Sequence, residues 1–260
     1  MLPDIERVAA RVREVAAIEI LPRFQKLAAG EMHEKQPGQL VTIADIEAER
    51  RLTPLLEEMM TDSVVVGEEG VAADPSRLAS IGGPEPVWLV DPVDGTQNFA
   101  EGNPTFVTMV ALIAGGRTAA SWIYDPLADR MSIAEAGSGA FCEGARLRAA
   151  AAVPLAEMNG RMGSRTARKL RGKIGSAMFQ RCAGKEYLAV AGGAAHFALF
   201  RRLFPWDHAP GELLVREAGA FAQRLDRTAY VPTEIDATLL VAPDGPSWEE
   251  LRALILEYAS

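Results

Sequence analysis

Cysteine is scarce: Cys142 and Cys182 are the two thiols in 260 residues. Two cysteines so far apart make no disulfide framework, and a reducing cytoplasm is their simplest setting. Histidine is equally thin. His33, His196 and His208 are all there is, none at zinc-ligand spacing from a cysteine, so a structural zinc site is not expected. No apolar run reaches the roughly 18–20 residues of a membrane span. The opening stretch MLPDIERVAARVREV carries acids and lacks the apolar core of a secretory signal. Positive charge is in deficit, 27 Lys and Arg against 35 Asp and Glu, for a formal charge of −8. That balance argues against a general affinity for nucleic acid or anionic lipid. Repeats and low-complexity tails are missing too. What is present is 48% hydrophobic residues, ample for a core in one large domain or two small ones. Among groups able to do chemistry, carboxylates dominate.

The apolar pattern divides the chain near residue 150. Ile5, Val8, Val12, Val15, Ile18 and Leu21 share one helical face, which predicts a helix from about Pro3 to Ala29, kinked at Pro22. GEMHEKQPGQ, Gly30 to Gln39, reads as a loop. A second helix is expected from Ala44 to Met60, with Leu52, Leu55, Leu56 and Met59 inward and a kink at Pro54. SVVVG is a short strand ending at Glu68 and Glu69, and VAADPSRLASIGGPEP, dense in Gly and Pro, reads as a loop. PVWLV is a strand. FVTMVALIAGG, TAASWIYDP and RMSIAEAG read as successive antiparallel strands, separated by Gly115-Gly116 and Asp125-Pro126. AAAAVPLAE, from Ala149, looks like a hinge or crossover. Beyond it come a helix from about Phe179 to Ala191, a strand within FALFRRLF and a helix from His208 that stops near Gly219. A strand at ATLLVAPD and a final amphipathic helix at PSWEELRALILEYA complete the chain. The expectation is a helix pair plus antiparallel sheet over 1–150 and an α/β domain over 151–260.

WLVDPVDGTQNF, Trp88 to Phe99, puts Asp91 and Asp94 three apart where a strand stops. A turn needs the Pro and the Gly but not both acids. Glu68 and Glu69 end another strand, and Asp207 follows Trp206 just before a helix. Singly, each has a local reading: a helix N-cap for Asp207, a surface turn for DPVDG, a solvated strand end for the glutamates. Together they point elsewhere. Clustered carboxylates repel, and crowding costs each of them solvation. A hard divalent cation removes that cost, and Mg²⁺ prefers oxygen ligands. Gly95 and Thr96, opening a helix, would present backbone N–H groups to an anion. Metals held by carboxylates beside an anion site suit phosphate ester hydrolysis, because the metal neutralises phosphoryl oxygens, activates water and stabilises the leaving oxygen.

GEEG (67–70), WLVDPVDGTQNF and WDHAPGELLVREAGA, with VTIAD (41–45) upstream and AEAGSGAFCEGARL (134–147) between, resemble the signatures of the inositol monophosphatase family. The likeness runs from about Val41 to Gly219. It implies a layered α/β sandwich, helices alternating with two sheets, and a Mg²⁺-dependent, lithium-sensitive phosphomonoesterase that uses two or three ions. Carried over residue by residue, it makes Glu68, Asp91, Asp94 and Asp207 the carboxylate ligands and gives Val93 a ligating carbonyl. Gly95 and Thr96 hold the phosphate, and Thr96 and Glu68 help activate the attacking water. Asp45 is implied as an outer acid of the site, while locally Thr42-x-x-Asp45 resembles a capping box. The resemblance also implies a homodimer and a small phosphorylated metabolite as partner.

The second half departs from the pattern. Inositol-selective members carry an acid shortly before the WD element. Here YLAVAGGAAHFALFRRLFPWD contains none between Glu186 and Asp207, and Leu199 or Phe200 takes its place. Inositol-ring contacts are thereby put in question, and Arg201 and Arg202 become candidate contacts for a second anionic group, with a solvated turn as the plain alternative. Arg161 to Lys173 is locally basic: a lid that collects anions, an RNA contact as in some bacterial relatives, or a solvated charged stretch. The substrates left open are inositol phosphates, sugar phosphates or bisphosphates, histidinol phosphate and 3′-phosphonucleotides. The rival from another class is a regulatory protein that keeps the fold. Retention of every metal-signature carboxylate favours catalysis.

Overall fold

The computed structural model describes residues 2–28, 30–36 and 39–258. Its first helix, α1 (Ile5–Val15), is capped by Asp4, whose carboxylate accepts from the N–H of Glu6 and Arg7. The helix then widens into a π-turn at Ala16–Ile20 and tightens to 3₁₀ at Leu21–Arg23. Pro22 offers no N–H to the ladder and ends it there, short of the predicted Ala29, which lies outside the described residues. Two strands follow, β1 (Met32–Gln36) and β2 (Gln39–Thr42), paired antiparallel. A loop was the expectation for this stretch. The strands are short and polar, and pairing rather than hydropathy decides them. Pro37 and Gly38, also in that expected loop, lie outside the described residues.

Helix α2 (Ile43–Glu57) keeps Pro54 in its last turn. Strand β3 (Val64–Gly67) leads into α3 (Glu68–Ala73) and a 3₁₀ stretch at Pro75–Gly82, where the glycines and prolines had pointed to a loop. Next come β4 (Val87–Asp94), the short α4 (Thr96–Ala100), β5 (Val107–Ala114), β6 (Arg117–Asp125), β7 (Arg130–Glu135), β8 (Gly139–Cys142) and β9 (Ala145–Arg146). Strands β3 to β9 form one seven-stranded sheet in chain order, antiparallel apart from the β3–β4 pair. Every residue of β4 is buried, as befits a strand covered on both faces.

The rest of the chain builds β10 (Asn159–Met162), α5 (Ser164–Lys169), β11 (Ser176–Met178), α6 (Ala183–Ala191), β12 (Phe197–Arg201), α7 (Pro205–Glu217), β13 (Phe221–Arg224), β14 (Thr238–Ala242) and α8 (Gly245–Tyr258). Its five strands lie in the order β11-β10-β12-β14-β13. Side-chain alternation along each strand assembles the layers. Trp88, Val90, Val110, Leu112 and Trp122 pack on Val8, Val12, Leu52 and Leu56 of the first two helices. From the opposite face of that sheet, Val107, Met109 and Ile123 meet Tyr187, Val190, Leu213 and Leu214 of α6 and α7, which rest on Ala198, Phe200, Leu239 and Val241 of the second sheet. The alternate residues Phe197, Leu199, Leu240 and Ala242 then pack on Trp248, Leu251 and Ile255 of α8. Five layers result, helices and sheets in turn.

Candidate active site

Asp91 and Asp94 lie within β4 itself rather than beyond its end. Asp91 pairs with Met109 and Asp94 with Val107, so three steps on one strand face two on the other. In a regular strand, residues three apart point to opposite faces. The bulge inserts one residue and brings both acids to the same face, toward the interior helices. This accounts for the odd spacing that the sequence presented. Gly95, at φ 95°, then turns the chain into α4, and a β-carbon there would stand 2.8 Å from the Thr105 carbonyl.

Glu68 opens α3 at the end of neighbouring β3. Asp207 arrives from the far half of the chain, in the first turn of α7. That helix begins at Pro205, with Phe204 as its N-cap. Asp207 is therefore not the cap that its position before His208 had allowed, and Pro210 lies inside the helix. Glu68, Asp91 and Asp207 each offer a carboxylate oxygen, and these atoms all lie within 4.8 Å of one another. Burial pushes the Asp91 and Asp207 carboxyls well above the usual range, and the charge of Glu68 raises both further. Asp91 also accepts the Val93 N–H at 3.0 Å.

Asp94 faces α6. Its oxygens accept the N–H groups of Ala183 (3.1 Å) and Gly184 (2.5 Å), and the Cys182 thiol donates to it at 3.1 Å. Burial nonetheless holds its pKa at about 6. Asp45 does what the capping box requires, with one oxygen taking the Thr42 N–H at 2.9 Å. Its other oxygen accepts from the Thr96 hydroxyl at 3.1 Å, and that hydroxyl also lies 3.0 Å from the Val93 carbonyl. Burial and the charge of Glu68, opposed by Thr42, leave the Asp45 pKa at about 6.

Two residues enter the site that sequence reasoning passed over. Lys35, on the unexpected hairpin, donates to Glu68 at 2.8 Å and to Glu69 at 2.7 Å. Burial would lower its pKa, but the two glutamates outweigh burial and raise it. Glu49, on α2, accepts the N–H groups of Glu69 (2.8 Å) and Gly70 (2.7 Å) and fixes the turn that carries Glu68. Its carboxyl fills the space a Gly67 β-carbon would need, at 2.2–2.6 Å. Helical spacing gives Glu49 no distinction from any solvated acid.

Glu68, Asp91, Val93, Asp94, Gly95, Thr96 and Asp207 line one cleft of about 670 Å³. Arg202 lines it too, and so does Arg181, which no motif singles out. An adjoining cavity of about 410 Å³ is bordered by Arg201, Leu199, Phe200 and Glu186. Phe200 stacks on Tyr187 with centroids 4.2 Å apart, so the position in question holds a packed ring. Glu186 is an acid of that cavity, engaged by the Gln180 N–H at 2.9 Å. His208 is buried against the Tyr187 hydroxyl at 2.9 Å, and burial drops its pKa to about 3. The oxygen-only donor set, with Asp91 and Asp94 buried and Glu68 and Asp207 partly so, is mutually repelling and fits a hard divalent cation.

The sequence model of the inositol monophosphatase family matches residues 2–259. The chain belongs to that family. It is similar to the fructose-1,6-bisphosphatase/inositol-1-monophosphatase of Thermotoga maritima, 32% identical over 72% of each chain. It is also similar to the Nus factor SuhB of Vibrio cholerae, 30% identical over 82% of each, and to inositol monophosphatase 1 of Bos taurus, 28% identical over 72% of each. Among solved structures, an IMPase of Thermotoga maritima superposes with a TM-score of 0.82 at 23% identity, covering 97% of this chain and 98% of that one. The layered inositol monophosphatase fold is thus present, and the chain is an inositol-monophosphatase-like phosphatase whose acidic cluster can hold a metal.

Proposed function

We propose that this chain is a Mg²⁺-dependent phosphomonoesterase acting on a small phosphorylated metabolite, without a strong preference for inositol 1-phosphate. The observation that carries the reading is the meeting of Glu68, Asp91 and Asp207, from three separate elements, in one cleft. Glu68, Asp91, Asp94, Asp207 and the Val93 carbonyl would hold two or three ions. When bound, Mg²⁺ neutralises the phosphoryl oxygens, lowers the pKa of a water and stabilises the leaving oxygen. Gly95 and Thr96 would hold the phosphate with backbone N–H groups. The Thr96 hydroxyl, donating to Asp45, keeps a lone pair with which to orient the attacking water. Asp45, poised at about 6, suits a proton acceptor near neutral pH, and Glu68 shares that work.

Leu199 and Phe200 supply no carboxylate for a ring hydroxyl, so discrimination in favour of inositol is weak on that side. The division into 1–150 and 151–260 belongs to the same reading, with Asp207 brought from the second part to acids of the first. Lithium sensitivity, a homodimer and a cytoplasmic location rest on family membership. The test is phosphate release from a panel of phosphomonoesters, with Mg²⁺ and with a chelator, ranked by kcat/KM. Metal-dependent turnover with inositol 1-phosphate not strongly preferred is the expected result. Undiminished turnover with the chelator would remove the metal, and a strong preference for inositol 1-phosphate would remove the substrate claim.

A further inference from the structure

None of the basic side chains between Arg161 and Lys173 borders the metal-holding cleft or the cavity adjoining it. They shape a separate cavity of about 450 Å³ on the outer side of α5, a volume in the range of small-molecule sites. Its floor is apolar: Met162 and Ile174 are buried members of the core that α8 closes, and Ala177 packs against them. Its rim carries Arg168 and Arg171 with the hydroxyl-bearing Ser164 and Ser176. Among the described residues no carboxylate borders this cavity, although acids outnumber bases 35 to 27 in the chain. Neither Arg168 nor Arg171, both exposed, forms an ion pair with a described residue. Two unneutralised guanidiniums above an apolar floor suit an anion that has an apolar body.

Helix α5 is the wall between this cavity and the site. Ser164, Ala167 and Arg168, at helical spacing, face the outer cavity. Gly163 and Thr166, on the other side, border the cavity that adjoins the cleft. Phe179, 51% exposed just beyond β11, borders both cavities and the cleft as well. A ligand that fixes Arg168 and Phe179 therefore acts on a wall one short helix thick.

We propose that the outer cavity is an effector site for a small organic anion, an oxyanion on an apolar body, and that its occupation alters substrate binding through α5 and Phe179. Arg168 and Arg171 take the oxyanion through charge-assisted hydrogen bonds, and the body covers Ile174 and Ala177. The coupling is reciprocal: substrate changes the affinity for the anion by the same factor. Anion binding stands apart from the phosphomonoesterase reading, and only the kinetic half rests on it.

Phenylphosphonate and phenylacetate present two oxyanions on one kind of ring, and inorganic sulfate presents the charge without the body. Calorimetry in EDTA at low ionic strength reads the outer cavity, because the metal-free cleft is lined by carboxylates that repel anions. Wild type should bind at least one aromatic anion saturably and sulfate about tenfold or more less tightly; the tighter of the two aromatic anions identifies the oxyanion. Arg168→Ala and Arg171→Ala should each weaken that binding about tenfold or more. Their Tm should hold, since both side chains are exposed, and Arg202→Ala should bind as wild type does. With Mg²⁺, the same anion should shift KM for the best phosphomonoester in wild type and not in Arg168→Ala or Arg171→Ala, whose basal kcat stays that of wild type. An equal KM shift in wild type and variants shows competition in the cleft and overturns the coupling. No saturable binding, binding as tight for sulfate, or binding indifferent to both arginine changes overturns the site and leaves the phosphatase standing. Absence of turnover with anion binding intact overturns the phosphatase and leaves the site standing.

Discussion

Metal binding at this centre should stabilise the protein more at pH 8 than at pH 5. Burial holds Asp45 and Asp94 at about 6 in the folded protein, against an ordinary carboxyl value of 3.8. A carboxylate with a raised folded pKa binds its proton more tightly in the folded state. Folding therefore loses stability as pH climbs from the unfolded value through the folded one. A displacement of about two units corresponds to about 3 kcal/mol for each group, and about half of that loss falls between pH 5 and pH 8. Asp45 and Asp94 together thus remove about 3 kcal/mol over this interval in metal-free protein. Asp91 and Asp207, pushed higher, act in the same direction. Buried His208, with its pKa dropped to about 3, pulls the other way, but it does so with and without metal. The quantity to measure is the difference in Tm between saturating Mg²⁺ and EDTA at each pH, in which that contribution cancels. For a chain of this size about 3 kcal/mol is worth about 6–12 °C. A difference that is constant across the range, or larger at pH 5, would refute the upward displacement of these carboxyls by burial.

Asp207→Asn keeps the volume and removes one charge from the metal-holding set. The kcat should drop about a hundredfold, a typical loss for one stabilising group at a centre of developing charge, with circular dichroism unchanged; near-normal kcat at modest Mg²⁺ counts against the assignment. Gly184→Ala puts a β-carbon 2.4 Å from Val107 and 3.1 Å from the Asp94 carboxylate. Overpacking of about 1–3 kcal/mol should lower Tm and raise the Mg²⁺ needed for half-maximal rate, both read in one titration. Glu49→Ala strands the Glu69 and Gly70 N–H groups, at about 1–3 kcal/mol each if they stay dry. It should lower Tm and raise the Mg²⁺ needed for half-maximal rate, and Glu49→Gln should recover part of both; a silent Glu49→Ala shows that the turn carrying Glu68 needs no prop.

The sheet strands were legible because they are long and apolar. β4 to β7 carry largely apolar stretches between clear turn signals, and the acids of β4 stand out against them. The stretch from Asn159 to Met178 was not legible. Its strands are NGRM and SAM, too short and polar to show a period, and they form because β10 pairs with β12 and β11 with β10, with Met162 and Ala177 in the cluster that α8 closes. The start of α7 was misread by three residues, although Pro205 at the first helical position is a usable signal. Lys35 and Glu49 act through contacts 33 and 20 residues away in sequence, which local pattern cannot reveal. Arg181 is distinguished by a backbone angle, a φ of 53°, and no string of letters displays one.

Helix α7 has no neutral face. Ten of its thirteen residues are buried, and it touches strands of both sheets. Gly211 admits no side chain, since a β-carbon there would enter the Tyr187 ring at 2.0 Å. A substitution almost anywhere along this helix therefore shifts the acid at its first turn. Divergence in such a protein is channelled: the helix is closed to variation, while Phe179, Arg181 and Arg202, hung on the cleft's rim outside it, can change without moving Asp207. New substrates can be acquired at the rim while the hydrolytic centre is inherited unchanged.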